Sequence, residues 1–175
     1  RFISGLDAQL TMAEIANELQ LENILYSRTG DDSLEPTTVR LIEGIQVNLD
    51  LTGRHSEGIV AFRVRRNPDP IDLGKVEHYN PEDYLEPILK SRNGTVEIKR
   101  GEHYLFATKE VLRMPGHLNA ELKRTSHIGI RGDMHFAGFI DPFFTGDLVL
   151  EIKHDEIENV VLEGDEIPIS TIHLF

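Results

Sequence analysis

The sequence predicts a mainly β fold, a sandwich or distorted barrel of many short strands, with one helix near its N-terminal end. Three observations predict it. Apolar and polar residues alternate over residues 44–51, 95–99 and 148–153, the period of a half-buried strand. Gly or Pro stands between successive stretches, as turns require. A helical period occurs over one early stretch only.

That stretch is residues 11–25. Thr11 is placed to cap the first turn and Glu14 stands three residues later, the capping-box spacing. Met12, Ile15 and Leu19 give the helix one apolar face. Residues 27–33 form a polar loop that Pro36 ends. We therefore expect residues 1–35 to be a helix and loop packed on the core, and residues 36–175 to be the β domain.

Gly44-Ile45-Gln46-Val47-Asn48-Leu49-Asp50-Leu51 predicts the first strand. Residues 59–65 predict the second, and Asn67-Pro68-Asp69-Pro70 breaks it. Pro81 and Pro87 limit residues 79–87 to irregular chain with a short turn. Strands are expected over 95–99, 103–108 and 118–123. Residues 135–140 and 148–153 are expected as two strands joined across 142–146, with two short strands over 159–162 and 167–175 closing the chain.

The 175 residues suffice for one domain with a real core. There is no cysteine, which excludes disulfides, thiolate nucleophiles and Cys-ligated zinc. The net charge of -12 disfavours nucleic acid as a partner. No apolar run approaches the roughly 20 residues of a membrane helix, and no signal-peptide pattern opens the chain. A membrane partner is not expected, and cytoplasmic residence is. The chain opens on Arg1 rather than Met, as expected of a fragment, a processed product or a trimmed chain.

Several chemistries find no support. Eight histidines show no helical His-x-x-x-His pair, so no protein-held metal is expected. No Gly-rich phosphate loop and no Gly-x-Ser-x-Gly elbow is present. Arg63 and Arg65 share a strand face and suit a triphosphate, but pairing with the surplus carboxylates is the expected outcome. Asp155, Glu156 and Glu158 are expected in a solvated turn.

Two segments remain. In Asp147-Leu148-Val149-Leu150-Glu151-Ile152-Lys153, alternation turns Leu148, Leu150 and Ile152 to one face and Glu151 to the other, with Val149 and Lys153. In His135-Phe136-Ala137-Gly138-Phe139-Ile140-Asp141-Pro142, the small pair Ala137-Gly138 lets a ligand or backbone approach. Phe139 is suited to cover a planar base or to fill the core. Each feature alone is ordinary in a β protein.

Together they resemble dCTP deaminases of the dCTP deaminase/dUTPase superfamily, whose pattern runs Ala-x-x-Ile-Asp-Pro-Gly-aromatic-x-Gly and then a strand ending Leu-Glu. Here the matching residues are Ala137, Ile140, Asp141, Pro142, Phe144, Gly146, Leu150 and Glu151. Glu82-Asp83-Tyr84-Leu85-Glu86-Pro87, residues 103–110, Ala120-Glu121 and residues 162–167 resemble the C-terminal lobe of the longer, two-lobed members. The resemblance covers about residues 40–175.

It implies a distorted, dUTPase-like β-barrel in a homotrimer, or in a pseudo-trimer with a second lobe. It implies hydrolytic deamination of dCTP, with dUTP and dTTP as further candidate ligands, and diphosphate hydrolysis of dUTP or a non-catalytic scaffold lobe as alternatives. Glu151 matches the carboxylate that activates water without zinc, in keeping with the absent zinc-deaminase signature. Ala137 matches the residue whose carbonyl orients water and base. Asp141 is carried over as a structural or positioning residue, and Mg²⁺ is expected to arrive on the triphosphate. Arg124-Thr125-Ser126 falls on the family's phosphate-holding Arg-Ser-Ser, making Arg124 and Ser126 candidate substrate ligands. The second Arg of that segment is out of register: Gly129 stands there and Arg131 follows. Phe143 replaces the Gly after Asp-Pro. We therefore expect a second lobe or partner to supply phosphate-binding groups.

Overall fold

The computed structural model describes residues 8–28, 33–53, 58–124, 133–135, 138–154, 160–163 and 168–175. Near its start, Thr11 caps helix α1 (Met12–Leu21). The Glu14 amide donates to the Thr11 hydroxyl at 3.3 Å, and the Thr11 amide donates to the Glu14 carboxylate at 2.8 Å. Two orphan donors are thus satisfied reciprocally, and the bonds to Thr11 hold the Glu14 carboxyl below its usual pKa. Ile15 is buried and Leu19 packs against the core. The helix stops four residues short of its expected end. Glu22 is already extended, and Ile24 and Leu25 are buried in the β-core, so tertiary burial outweighs the local period.

Thirteen strands follow among the described residues: β1 (Leu25–Arg28), β2 (Leu34–Pro36), β3 (Ile45–Asn48), β4 (Ile59–Val64), β5 (Leu85–Leu89), β6 (Thr95–Ile98), β7 (His103–Arg113), β8 (Ala120–Arg124), β9 (Asp133–His135), β10 (Phe139–Ile140), β11 (Thr145–His154), β12 (Val160–Glu163) and β13 (Pro168–Leu174). All their pairings are antiparallel. The larger sheet runs β2-β1-β7-β11-β9, with β4 also on β7 and β5 on β4; a second runs β10-β8-β13-β3; β12 and β6 form a third. One hydrophobic cluster draws on both larger sheets, with Ile45 and Val47, Leu122, Ile172 and Leu174 on one side and Phe106, Leu150 and Ile152 on the other. The mainly β, curled-sheet architecture with an N-terminal helix is therefore the predicted one.

Three stretches differ from expectation. Ser27 and Arg28, expected in a loop, lie in β1 and pair with β2. β5 contains Pro87, opposite Phe62, and pairs with β4; an edge strand tolerates a residue without an amide proton. The expected continuous strand over 135–140 is divided: β9 pairs with β11 in the large sheet and β10 pairs with β8 in the other. A chain crossing between sheets cannot keep one alternation.

β7 and β11 form the long central ribbon. Their register slips between Asp147 and Val149. At the slip, the fully buried Thr108 hydroxyl accepts from the Leu148 amide at 3.0 Å and donates to the Glu110 carbonyl at 2.8 Å. One side chain thereby replaces ladder hydrogen bonds that the bulge interrupts. Among the described residues no helix is long and apolar enough to cross a membrane.

Candidate functional site

β11 presents its residues as the alternation requires. Leu148, Leu150 and Ile152 are buried, whereas Val149 and Glu151 are exposed. Glu151 lies opposite Leu105 of β7 and Val149 opposite Ala107. Beyond β7, Phe62 of β4 lies opposite Leu105. The carboxylate therefore stands at the edge of an apolar strip. An apolar concavity of about 200 Å³ occupies that strip, lined by Phe62, Leu105, Ala107 and Val149 among others. An outward carboxylate in this position is held by a rigid strand whose two neighbours are core residues.

The second segment lies on the other sheet. Ile140 is buried and anchors β10, whereas Phe139 and Asp141 are exposed, Phe139 to 86%. Phe139 is thus no core residue. A Cβ added at Gly138 would meet no atom within 4 Å, so the chain here is open to close approach. After Asp141 the chain turns: the Phe144 amide donates to the Asp141 carbonyl at 3.3 Å. Phe143 occupies the left-handed region at φ 64°, where a glycine is at ease and a phenylalanine is strained. Its ring fills the space that a side chain at Gly116 would need.

Arg124 ends β8, exposed, and lies opposite Ser170. Arg124, Phe139 and Asp141 therefore belong to the four-stranded sheet or its margin, and Glu151 belongs to the seven-stranded sheet. Ala137 and Ser126 lie outside the described residues, as do Arg131 and the acidic residues Asp155, Glu156 and Glu158.

The basic cluster on β4 is internally paired. Arg63 donates to Glu86 at 2.5 Å and to Glu102 at 2.9 Å, and Arg66 reaches Glu102 at 3.1 Å. The hydrogen bond to Glu86 raises the Arg63 pKa, and the same bond lowers that of Glu86. Arg65 donates to the Glu82 carbonyl at 2.9 Å. Pairing with carboxylates, the outcome the sequence predicts for this cluster, holds for Arg63 and Arg66, whereas Arg65 bonds a backbone carbonyl. Among the described residues no group of three His, Cys, Asp or Glu side chains is placed to hold a metal.

A polar concavity went unnoticed in the sequence. It has a volume of about 380 Å³ and is lined by Ser27, Thr37, Thr38, Arg40, Gln46, Asn48, Lys109 and Glu110. Its floor joins residues far apart in the chain: Glu110 accepts from the Asn48 amide at 2.8 Å and from the Asn48 side chain at 2.7 Å. The polar positions of β3, Gln46 and Asn48, are the one sequence signal that points there.

Residues 14–169 match the family model described as 2'-deoxycytidine 5'-triphosphate deaminase (DCD), C-terminal domain. The chain belongs to this family. The match agrees with the likeness to the C-terminal lobe of the two-lobed dCTP deaminases. A protein of Methanothermobacter thermautotrophicus named "dCTP deaminase, dUMP-forming" is 38% identical over 97 residues, 53% of this chain and 46% of that one. A protein of the same name from Corynebacterium glutamicum is 30% identical over 131 residues, 71% of this chain and 62% of that one. The solved 2'-deoxycytidine 5'-triphosphate deaminase of Agrobacterium tumefaciens shares the fold, with a TM-score of 0.80 at 20% identity, over 95% of this chain and 47% of that chain. The chain thus spans about half to two thirds of the length of these relatives.

Proposed function

We propose that this chain carries the base-recognising, water-activating part of a dCTP deaminase that is completed by other copies or by a second lobe. The observation that carries the reading is the placement of Glu151: an outward carboxylate, fixed between buried Leu150 and Ile152, at the edge of an apolar strip. The reaction adds water across C4 of the cytosine ring. Glu151 takes a proton from the attacking water and delivers it to the departing amine, so that dCTP and water give dUTP and ammonia. For that role the carboxylate must be desolvated in a closed site, where it can hold and pass on the proton. Glu151 is exposed in the single chain, so the desolvation must come from a surface that covers the strip. Three copies of this chain, or this chain with a second lobe in a pseudo-trimer, supply such a cover.

In this reading the Ala137 carbonyl orients water and base, Phe139 covers the base, and Asp141 positions the hairpin. Arg124 and Ser126 contribute to phosphate binding, and Mg²⁺ comes with the nucleotide. The displaced Arg131 and the Phe143 substitution leave phosphate binding incomplete, which is why further groups must come from the covering surface.

The test is ammonia release from dCTP by the assembled protein. Glu151→Gln is expected to lower turnover by at least a thousandfold while leaving circular dichroism and thermal unfolding unchanged. Retained turnover would remove Glu151 from the mechanism. A second reading rests on the relatives' designation as dUMP-forming. If this chain shares that chemistry, pyrophosphate appears with the ammonia and the product is dUMP. Failure to bind dCTP, dUTP or dTTP, with assembly intact, would instead mark a non-catalytic scaffold lobe.

A further inference from the structure

The polar concavity between β1, β3 and β7 has no part in that reading. Lys109 lies roughly 14 Å along β7 from Leu105, the residue opposite Glu151, at a rise of about 3.4 Å per residue, and the polar and apolar concavities share no lining residue. The walls of the concavity are held by the backbone. The Thr37 amide donates to the Leu25 carbonyl at 3.1 Å, and the Gln46 amide donates to the Arg40 carbonyl at 2.8 Å. The Glu110 carboxylate is fixed by its two bonds from Asn48. Floor and rim are therefore preorganised.

Gln46 is the informative residue. Ile45 and Val47 point into the core at 0% and 1% exposure, so alternation turns the Gln46 side chain to the opposite face, where it lines the concavity. Gln46 is itself only 7% exposed. Among the described residues its carboxamide has no hydrogen-bond partner. The amide is not closed off from solvent, so it opens into the concavity. The amide offers two donors and an acceptor to whatever enters. Around it stand the hydroxyls of Ser27, Thr37 and Thr38 and the cations of Arg40 and Lys109. The volume of about 380 Å³ falls in the range of small-molecule sites.

We propose that this concavity binds a phosphorylated, hydroxyl-bearing small molecule of sugar-phosphate class. Arg40 and Lys109 meet the phosphate, and the Thr and Ser hydroxyls with Gln46 meet the sugar. In a chain of net charge -12, a lining in which Arg40 and Lys109 outnumber the one carboxylate, Glu110, is a place where an anion meets a favourable local field.

Isothermal titration of the full chain with ribose 5-phosphate tests it, with ribose and inorganic phosphate as comparators. The expected result is saturable one-to-one binding, at least tenfold tighter than either comparator. Gln46→Leu, which keeps the volume, and Lys109→Met, on the rim, should each weaken it at least fivefold with unchanged circular dichroism. No saturable binding of ribose 5-phosphate, or equal affinity in the parent and both variants, overturns the proposal. Equal binding of inorganic phosphate overturns the sugar part of it.

Discussion

Phe143 shows how a single residue departs from its family's pattern at a measurable cost. The pattern has Gly after Asp-Pro, and the backbone at this position is left-handed. A non-glycine residue there costs about 1–2 kcal/mol. Its ring is 80% exposed, so little burial offsets the strain. Phe143→Gly gives up about 0.4–1 kcal/mol through the freer unfolded chain. Net stabilisation of up to about 1.6 kcal/mol is expected, read as a melting temperature higher by up to about 3–6 °C. A lower melting temperature would show that the ring over Gly116 outweighs the strain. His173 is the residue whose titration the fold resists. The Gln9 side-chain amide stands 2.6 Å from its Nδ1, and Thr171 Oγ1 stands 3.1 Å from its Nε2. Burial first, and the nearby Lys123 second, lower its pKa below 6.5, against opposing pulls from Glu121 and Glu43. The unfolded chain then binds the proton more readily than the folded one. Stability is full above the unfolded value and falls as pH drops through the folded one. Urea midpoints at pH 7.5 and 5.5 should therefore differ more in the parent than in His173→Gln. Equal differences would assign the acid sensitivity elsewhere.

At the scale of elements, what the sequence makes legible is what a local rule decides. The capping box at Thr11 and Glu14 needs only four residues and forms as expected. The apolar residues of the 44–51 stretch, Ile45, Val47, Leu49 and Leu51, are all buried, because one face meets the core throughout. The outward Glu151 follows from the same rule. Features set by distant partners are not legible. Tyr26 is in a strand because it pairs with β7, and Ser27 and Arg28 because they pair with β2, and nothing in their own polarity says so. β5 forms around Pro87 because only one side of it needs hydrogen bonds from a neighbour. The 133–140 stretch divides because its two ends join different sheets. The Asn48–Glu110 pairing spans 62 positions and leaves no pattern in either segment. The candidate site is likewise half legible. The residues are identified by their resemblance to a family pattern, but their distribution over two sheets depends on topology.

For the molecule as a whole, the exposed apolar surface argues that something covers it. Val149 is 64% exposed beside Phe62, Leu105 and Ala107, and the strip ends at Glu151. A sheet face that met only water would carry polar residues at these positions. The proposed chemistry needs the same cover, because an exposed carboxylate is a poor base for a cytosine ring at neutral pH. One substitution separates these ideas from coincidence. Val149→Asp places a charge in the strip without touching the core, since Leu148 and Leu150 on either side remain buried. If copies of this chain cover the strip, light scattering should report a trimer for the parent and a monomer for the variant. Ammonia release from dCTP should fall by at least a hundredfold, with thermal unfolding of the variant remaining cooperative. A parent that stays monomeric at micromolar concentration removes the homotrimer and leaves a second lobe as the cover. A Val149→Asp protein that assembles and turns over like the parent would mean that the strip beside Glu151 is not a covered face, and that Glu151 acquires its basicity in some other way.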